Sequence, residues 1–237
     1  MHTLGIALSV FLSAQLPFGH EHSGIDFDRQ GAFYTHPDSG NTSHLYKFTT
    51  PDKGQWIWLG LPNIDWEDIS IGDCLNLGGT ECIYLADMGQ NYRRHQPTIY
   101  EIDANNTDIV HAHRVSFEHG KNDDVEAIAI NNGSLYAIKK NGRRELYKLE
   151  GTVFKQCGTF DDGGVYVTGM DMDGDDMVIS YHRGRDYFLK EYTMNGCEVL
   201  SSRELSFHSK RQVEGVAYDG LFIVAVAEDG MVFRIPR

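Results

Sequence analysis

Short runs in which apolar and polar residues alternate recur along almost the whole chain, broken by Gly, Asn and Asp, while a 3.6-residue apolar period is nearly absent. The runs form a repeat when they are laid beside one another. Residues 21–25, 66–70, 125–129, 167–171 and 213–217 occupy equivalent places. Counted from Ser23, Glu67, Glu126, Thr168 and Glu214, the steps are 44, 59, 42 and 46 residues. That period fits a four-stranded propeller blade. Second strands are predicted at 32–36, 83–87, 135–139, 177–182 and 222–228, and third strands at 44–48, 98–102, 145–149, 188–192 and 231–235. Fourth strands are predicted at 55–60, 109–117, 152–160 and 198–207. The predicted fold is therefore all-β, a five-bladed β-propeller with four antiparallel strands per blade.

The fifth blade lacks a fourth strand because the chain ends at Arg237. The amino-terminal segment could supply it and remove two exposed edges. An apolar run at 4–14 competes with that expectation, being too short to span a bilayer and about right for the core of a signal peptide. Residues 1–19 are thus a signal peptide or a closing strand, and 20–237 a single propeller domain.

Net charge is −13, from 34 acidic and 21 basic residues. Such a balance argues against nucleic acid and anionic membranes as partners and favours cations. Cys74 and Cys82 flank a hairpin loop whose base a disulfide could clamp, and together with Cys157 and Cys197 they tilt the compartment toward an oxidising one, secreted or periplasmic. No CxxC spacing is present, which argues against zinc. Asn41, Asn105 and Asn132 head glycosylation sequons. A monomer is expected.

In a propeller the first strand of each blade lies nearest the axis, so Ser23, Glu67, Glu126, Thr168 and Glu214 should ring a narrow channel. Carboxylates this close repel one another, and burial adds a desolvation cost. A hard divalent cation with oxygen ligands relieves both, and calcium suits such a site better than zinc. The alternative is that each Glu bonds backbone amides of a neighbouring blade. Second-strand ends return to the same face, which should place Asp38, Asp87, Lys139, Lys140, Arg183 and Arg185 around the mouth, with Arg93 and Arg94 in an inserted loop at 90–96. The inserted loops, this one and 74–82, are expected on the functional face. Basic groups around a cation would suit a phosphate or carboxylate ligand.

At the blade openings the chain resembles the soluble calcium-activated nucleotidases (apyrases), five-bladed propellers with a Glu or Ser/Thr at each opening around one axial calcium. The matching positions are Ser23, Glu67, Glu126, Thr168 and Glu214. A nearer likeness is to secreted propellers of unassigned activity that share Asp38-Ser-Gly, Asp65-Trp-Glu-Asp-Ile and the loop Ala86-Asp-Met-Gly-Gln-Asn91. The resemblance covers nearly all of 20–237 and implies the fold and calcium.

No nucleophile elbow, P-loop or dinucleotide fingerprint occurs. Asp171-Met-Asp-Gly-Asp-Asp176 has Asp176 where an EF-hand needs Gly, and reads as a hairpin. His20-Glu-His22 and His111-Ala-His113 lack the spacing of a zinc hydrolase. Two functions follow. In one, calcium is structural and the mouth binds a small anionic ligand, a protein or a glycan. In the other, the protein is a calcium-dependent hydrolase of phosphate or other esters, with Asp38 or Asp87 as general base and Lys139, Arg93 or Arg183 stabilising developing charge.

Overall fold

The computed structural model describes residues 12–16, 21–90, 96–120, 124–140, 144–160 and 165–237. Twenty-one strands and no helix are found there, in five small sheets. Blade 1 comprises β2 (His22–Phe27), β3 (Phe33–Pro37), β4 (His44–Thr50) and β5 (Lys53–Trp58). Blade 2 comprises β6 (Trp66–Asp73), β7 (Glu81–Asp87), β8 (Thr98–Asp103) and β9 (Ile109–Arg114). Blade 3 holds β11 (Val125–Asn131), β12 (Ser134–Lys139), β13 (Arg144–Glu150) and β14 (Val153–Phe160). Blade 4 holds β15 (Tyr166–Asp173), β16 (Asp176–Arg183), β17 (Asp186–Asn195) and β18 (Glu198–Ser209). Blade 5 is built from β19 (Val213–Asp219), β20 (Phe222–Ala227) and β21 (Met231–Pro236).

The amino-terminal strand β1 (Leu12–Gln15) completes blade 5, pairing antiparallel from Leu12↔Arg234 to Gln15↔Met231. The ring is therefore closed by its two ends. One predicted fourth strand divides. Residues 109–117 form β9 as far as Arg114, then β10 (Ser116–Phe117) leaves blade 2 and pairs parallel with β14 of blade 3. The tight turns follow local chemistry. Between β11 and β12, Asn132 and Gly133 both have positive φ, 48° and 67°, as a two-residue hairpin of matching twist requires. The stretch 171–176 is the β15–β16 hairpin, with Asp173 paired to Asp176.

The core consists of separate apolar layers between neighbouring blades. Ile138 and Leu146 of blade 3 pack with Val167 and Ile179 of blade 4, for example, and Ile25 and Tyr46 of blade 1 pack with Val224 and Val226 of blade 5. Tyr46, Tyr100 and Tyr147, from the Leu/Ile-Tyr pairs of three third strands, are all buried. Each inner strand packs on the next, and β19 returns to β2.

Neighbouring inner strands belong to different sheets and share no ladder, so side chains supply the missing acceptors. Asp26 Oδ2 accepts the Ile71 amide at 2.5 Å, Ser70 Oγ accepts Ile130 N at 3.0 Å, and Asp171 Oδ2 accepts Tyr218 N at 2.7 Å. Asp68 reaches Ile128 N at 2.9 Å. Each link runs from one blade to the next. The alternation of sizes along these strands permits the approach. A Cβ on Gly24 would meet the Ile69 backbone nitrogen at 2.8 Å, and one on Gly215 would meet Gly24 backbone at 2.6 Å.

Burial raises the carboxyls of Asp26, Asp68 and Asp171 above the ordinary range, Asp171 to about 7. Replacing Asp171 by Ala leaves the Tyr218 amide buried without its acceptor, which costs about 1–3 kcal/mol. Chemical denaturation should show that loss. An unchanged unfolding midpoint would mean that the inter-blade link contributes nothing.

Candidate functional site

All five openings lie at the start of an inner strand, and at each of them the ladder with the second strand slips. The register breaks between Ser23 and Ile25, Trp66 and Asp68, Val125 and Ala127, Val167 and Gly169, and Val213 and Gly215. A bulge bends its strand and re-aims a side chain. In blades 2 to 5 the bulged position is the opening residue itself, Glu67, Glu126, Thr168 or Glu214, whereas in blade 1 it is Gly24 and Ser23 stays paired with His36. Ser23, Glu67, Glu126 and Thr168 are buried, and Glu214 is half-buried.

The carboxylates sense one another. Burial, then the charges of Glu126, Asp38 and Asp65, hold the Glu67 carboxyl well above its ordinary range. Burial and the Glu126 charge lift Glu214 to about 8. Glu126 itself is lifted to about 7 by burial, although the Lys140 ammonium, 2.6 Å from its Oε1, pulls the other way. The hydroxyls are hydrogen-bonded as donors, Ser23 to the Glu67 carbonyl at 2.7 Å and Thr168 to Ser180 Oγ at 2.9 Å, and each keeps lone pairs. Space for Glu67 depends on a glycine, because a Cβ on Gly89 would collide with its Oε1 and with the Asp65 carboxylate.

Asp38 stands beside the ring. Its carboxyl is raised by burial, with the Ser39 amide opposing and Glu21 and Asp65 adding to the rise, and its charge is felt by all three axial Glu. The other sequence-derived candidates are placed differently. Asp87 is fully buried beneath the mouth, where its Oδ1 accepts the Asp65 amide at 2.7 Å. Lys139 turns away from the axis to Glu145, 2.6 Å away, and lies over the Tyr147 ring. Arg183 is exposed and packs over Phe188. Arg93 and Arg94 lie outside the described residues.

Lys140 is the basic residue that reaches the ring. Its ammonium is favoured by Glu126 and Glu67 against the opposing effect of burial, so its pKa is raised. Strand alternation from Lys139 was the available sign, since neighbours on a strand point to opposite faces. Among the described residues, Lys139 and Arg183 do not join Lys140 at the ring. The rim of the mouth on blade 4 is aromatic, with Tyr166, His182 and Tyr187 stacked at ring separations of 4.8 and 5.3 Å.

The inserted 74–82 loop is on the other face. Strand β6 starts at the mouth with Glu67 and runs through the molecule to Asp73, so its hairpin turn opens at the far end. Two disulfides close the cysteine inventory: Cys74–Cys82 clamps this loop, and Cys157–Cys197 joins blade 3 to the β17–β18 turn of blade 4. Both are compatible with an oxidising compartment.

The donor set of the ring is all oxygen, which matches a hard cation. Among the described residues the ring carboxylates do not converge as three atoms within 4.8 Å, whereas Cys74, Cys82 and Glu101 do. No protein-family model and no curated protein matches the sequence. Solved structures match the backbone at low identity. Glutaminyl cyclase from Myxococcus xanthus is 13% identical with a TM-score of 0.64 over 94% of this chain and 93% of that one. A glucose dehydrogenase is 10% identical, TM-score 0.58, over 95% and 99%. The PQQ-bound aldose sugar dehydrogenase of Streptomyces coelicolor is 9% identical, TM-score 0.53, over 96% and 98%. These likenesses are of fold, and the resemblance to calcium-activated nucleotidases rests on the opening motifs alone.

Stability in chelator should fall as pH rises. Glu126 and Glu214 hold protons up to about 7 and about 8 in the fold, against an ordinary value of 4.5. The stability they contribute is whole below the unfolded value and is lost as pH climbs through the folded ones. Thermal melts between about pH 5 and 8.5 should show the decline, and Glu214→Gln should flatten its upper part. A melting temperature flat across that range would contradict a buried, mutually repelling ring.

Proposed function

We propose that this chain is an exported propeller whose axial carboxylates take a hard divalent cation, calcium foremost, and whose mouth binds a ligand around it. The observation that carries this reading is the charge balance at the axis. Glu67, Glu126 and Glu214 are raised by burial and by one another, with Asp38 beside them, and among the described residues Lys140 is the one cation acting on all three. The poorly solvated carboxyls therefore retain protons near neutral pH, and a divalent ion would displace those protons and stabilise the carboxylates together. Glu67, Glu126 and Glu214 would hold it, with Ser23 and Thr168 contributing hydroxyl oxygens. When bound, the ion supplies an electrophilic centre that can anchor phosphate, carboxylate or sugar oxygens. Without it, the acidic mouth repels anionic ligands. Export is supported by the two disulfides.

Asp38 favours a second reading, a calcium-dependent hydrolase. Its carboxyl, raised above the ordinary range, stands where it could accept a proton from a water at the ring, and Lys140 rather than Lys139 or Arg183 is placed to face developing negative charge. Propellers of this backbone include a glutaminyl cyclase and sugar dehydrogenases, so the outline is compatible with catalysis in those proteins.

Calcium added to chelator-treated protein at about a hundredfold excess over Kd should raise Tm by about 5–10 °C. Glu67→Gln should abolish most of that shift. No stabilisation at millimolar calcium would sink the cation site. Nucleoside di- and triphosphates and aryl phosphate esters then separate the two readings: calcium-dependent turnover that disappears in Asp38→Asn supports the hydrolase, and stabilisation without turnover supports the binding protein.

A further inference from the structure

On the face opposite the mouth, blade 2 gathers four side chains that the axial ring does not use. Cys74 follows β6, Cys82 lies in β7, Glu101 in β8 and His113 in β9. The two sulfurs and a Glu101 oxygen all lie within 4.8 Å of one another. His113 Nε2 is 2.8 Å from Glu101 Oε2. Two sulfurs, one imidazole nitrogen and one carboxylate oxygen form a donor set that tetrahedral zinc accepts. The spacing along the chain conceals it, because the strands of one blade, not a CxxC motif, bring the groups together.

We propose that reduction of the Cys74–Cys82 disulfide opens a zinc site made of Cys74, Cys82, Glu101 and His113. A dithiol reductant attacks one sulfur, passes through a mixed disulfide and leaves as its own disulfide. Two electrons and two protons end on Cys74 and Cys82. Zinc then displaces the two thiol protons and binds both thiolates.

His113 stands outside the 4.8 Å group of the two sulfurs and Glu101, so its ring has to close on the sulfurs as they part. The two Cα atoms are 4.9 Å apart, so side-chain rotation suffices to part the sulfurs to the edge length, about 3.7 Å, of a tetrahedron with Zn–S bonds of about 2.3 Å. The existing 2.8 Å between His113 and Glu101 is already near the corresponding N–O edge of about 3.3 Å. An outer shell is in place. The Asn76 amide and side chain donate to Glu101 at 2.9 and 2.6 Å, and the Tyr84 hydroxyl lies 3.3 Å from its Oε1. Partners of this kind orient ligands and tune a metal. Glu101 and His113 are buried, whereas loop residues 75–79 are exposed, which leaves a route for reductant and ion.

The test uses the full chain with Cys157 and Cys197 both changed to Ser, reduced with a phosphine that leaves no competing thiol. Zinc titrated against a chromophoric chelator should bind one per reduced chain and none per oxidised chain. Cobalt(II) in its place should show the intense visible bands of tetrahedral coordination together with thiolate charge transfer. His113→Ala should weaken zinc binding by more than about 100-fold, and Tyr84→Phe by about tenfold. Absence of zinc binding on reduction would overturn the proposal, as would an affinity in His113→Ala and Glu101→Gln unchanged from that of the parent chain. If the double-Ser chain does not fold, reduced wild-type protein is alkylated with and without zinc. Protection of Cys74 and Cys82 but not of Cys157 and Cys197 supports the site, and equal alkylation of all four overturns it.

Discussion

Five inner strands meet at an axis where no main-chain ladder joins them, and buried side-chain acceptors tie one blade to the next. Asp26, Asp68, Ser70 and Asp171 accept amides of the following blade, and glycines such as Gly24 and Gly215 let the backbones come within contact. An amide left unpaired in such a place costs free energy comparable to a lost hydrogen bond. Asp26, Asp68 and Asp171 are buried carboxyls, so their protons are held more tightly than in water. Ring closure between blade 5 and blade 1, through β1 and β21 and the β19–β2 contact, keeps this axis from opening at one seam.

The same convergence makes the mouth chemically distinctive. Blades 2, 3 and 5 bring three carboxylates within reach of one another's charge, and Lys140 of blade 3 acts on all of them. None of these residue types is unusual on a strand. Their mutual repulsion and desolvation, expressed in the raised carboxyls of Glu67, Glu126 and Glu214, arise because the fold denies them water and distance at once. Lys140 offsets part of that cost and no more.

The two faces of blade 2 divide their work. At the mouth, Gly89 makes room for Glu67, and the charge of Asp65 helps to hold its carboxyl in the protonated form. At the far end, Glu101, His113, Asn76 and Tyr84 form a connected polar network under the Cys74–Cys82 loop. Cys157–Cys197 lies at the perimeter, linking two blades where their outer strands have few other ties. Disulfides of this placement act mainly by restricting the unfolded chain.

Blade number and strand succession were legible in the sequence, because a period near 45 residues and alternating apolar positions follow from local rules that any propeller blade must obey. The Cys74–Cys82 clamp was legible for the same reason, since both cysteines flank one hairpin. The bulges were not, because register is decided by pairing with a partner strand. Nor was the exchange of Lys139 for Lys140 at the ring, the burial of Asp87 under Asp65, the departure of β10 to a neighbouring blade, or the placing of the 74–82 loop on the far face. Those depend on which way a strand end points once it is packed. The sequence by itself determined the blade count and the succession of strands; the tertiary structure decided how Glu67, Glu126 and Glu214 meet one another's charge, because burial and distance exist only after the five blades close.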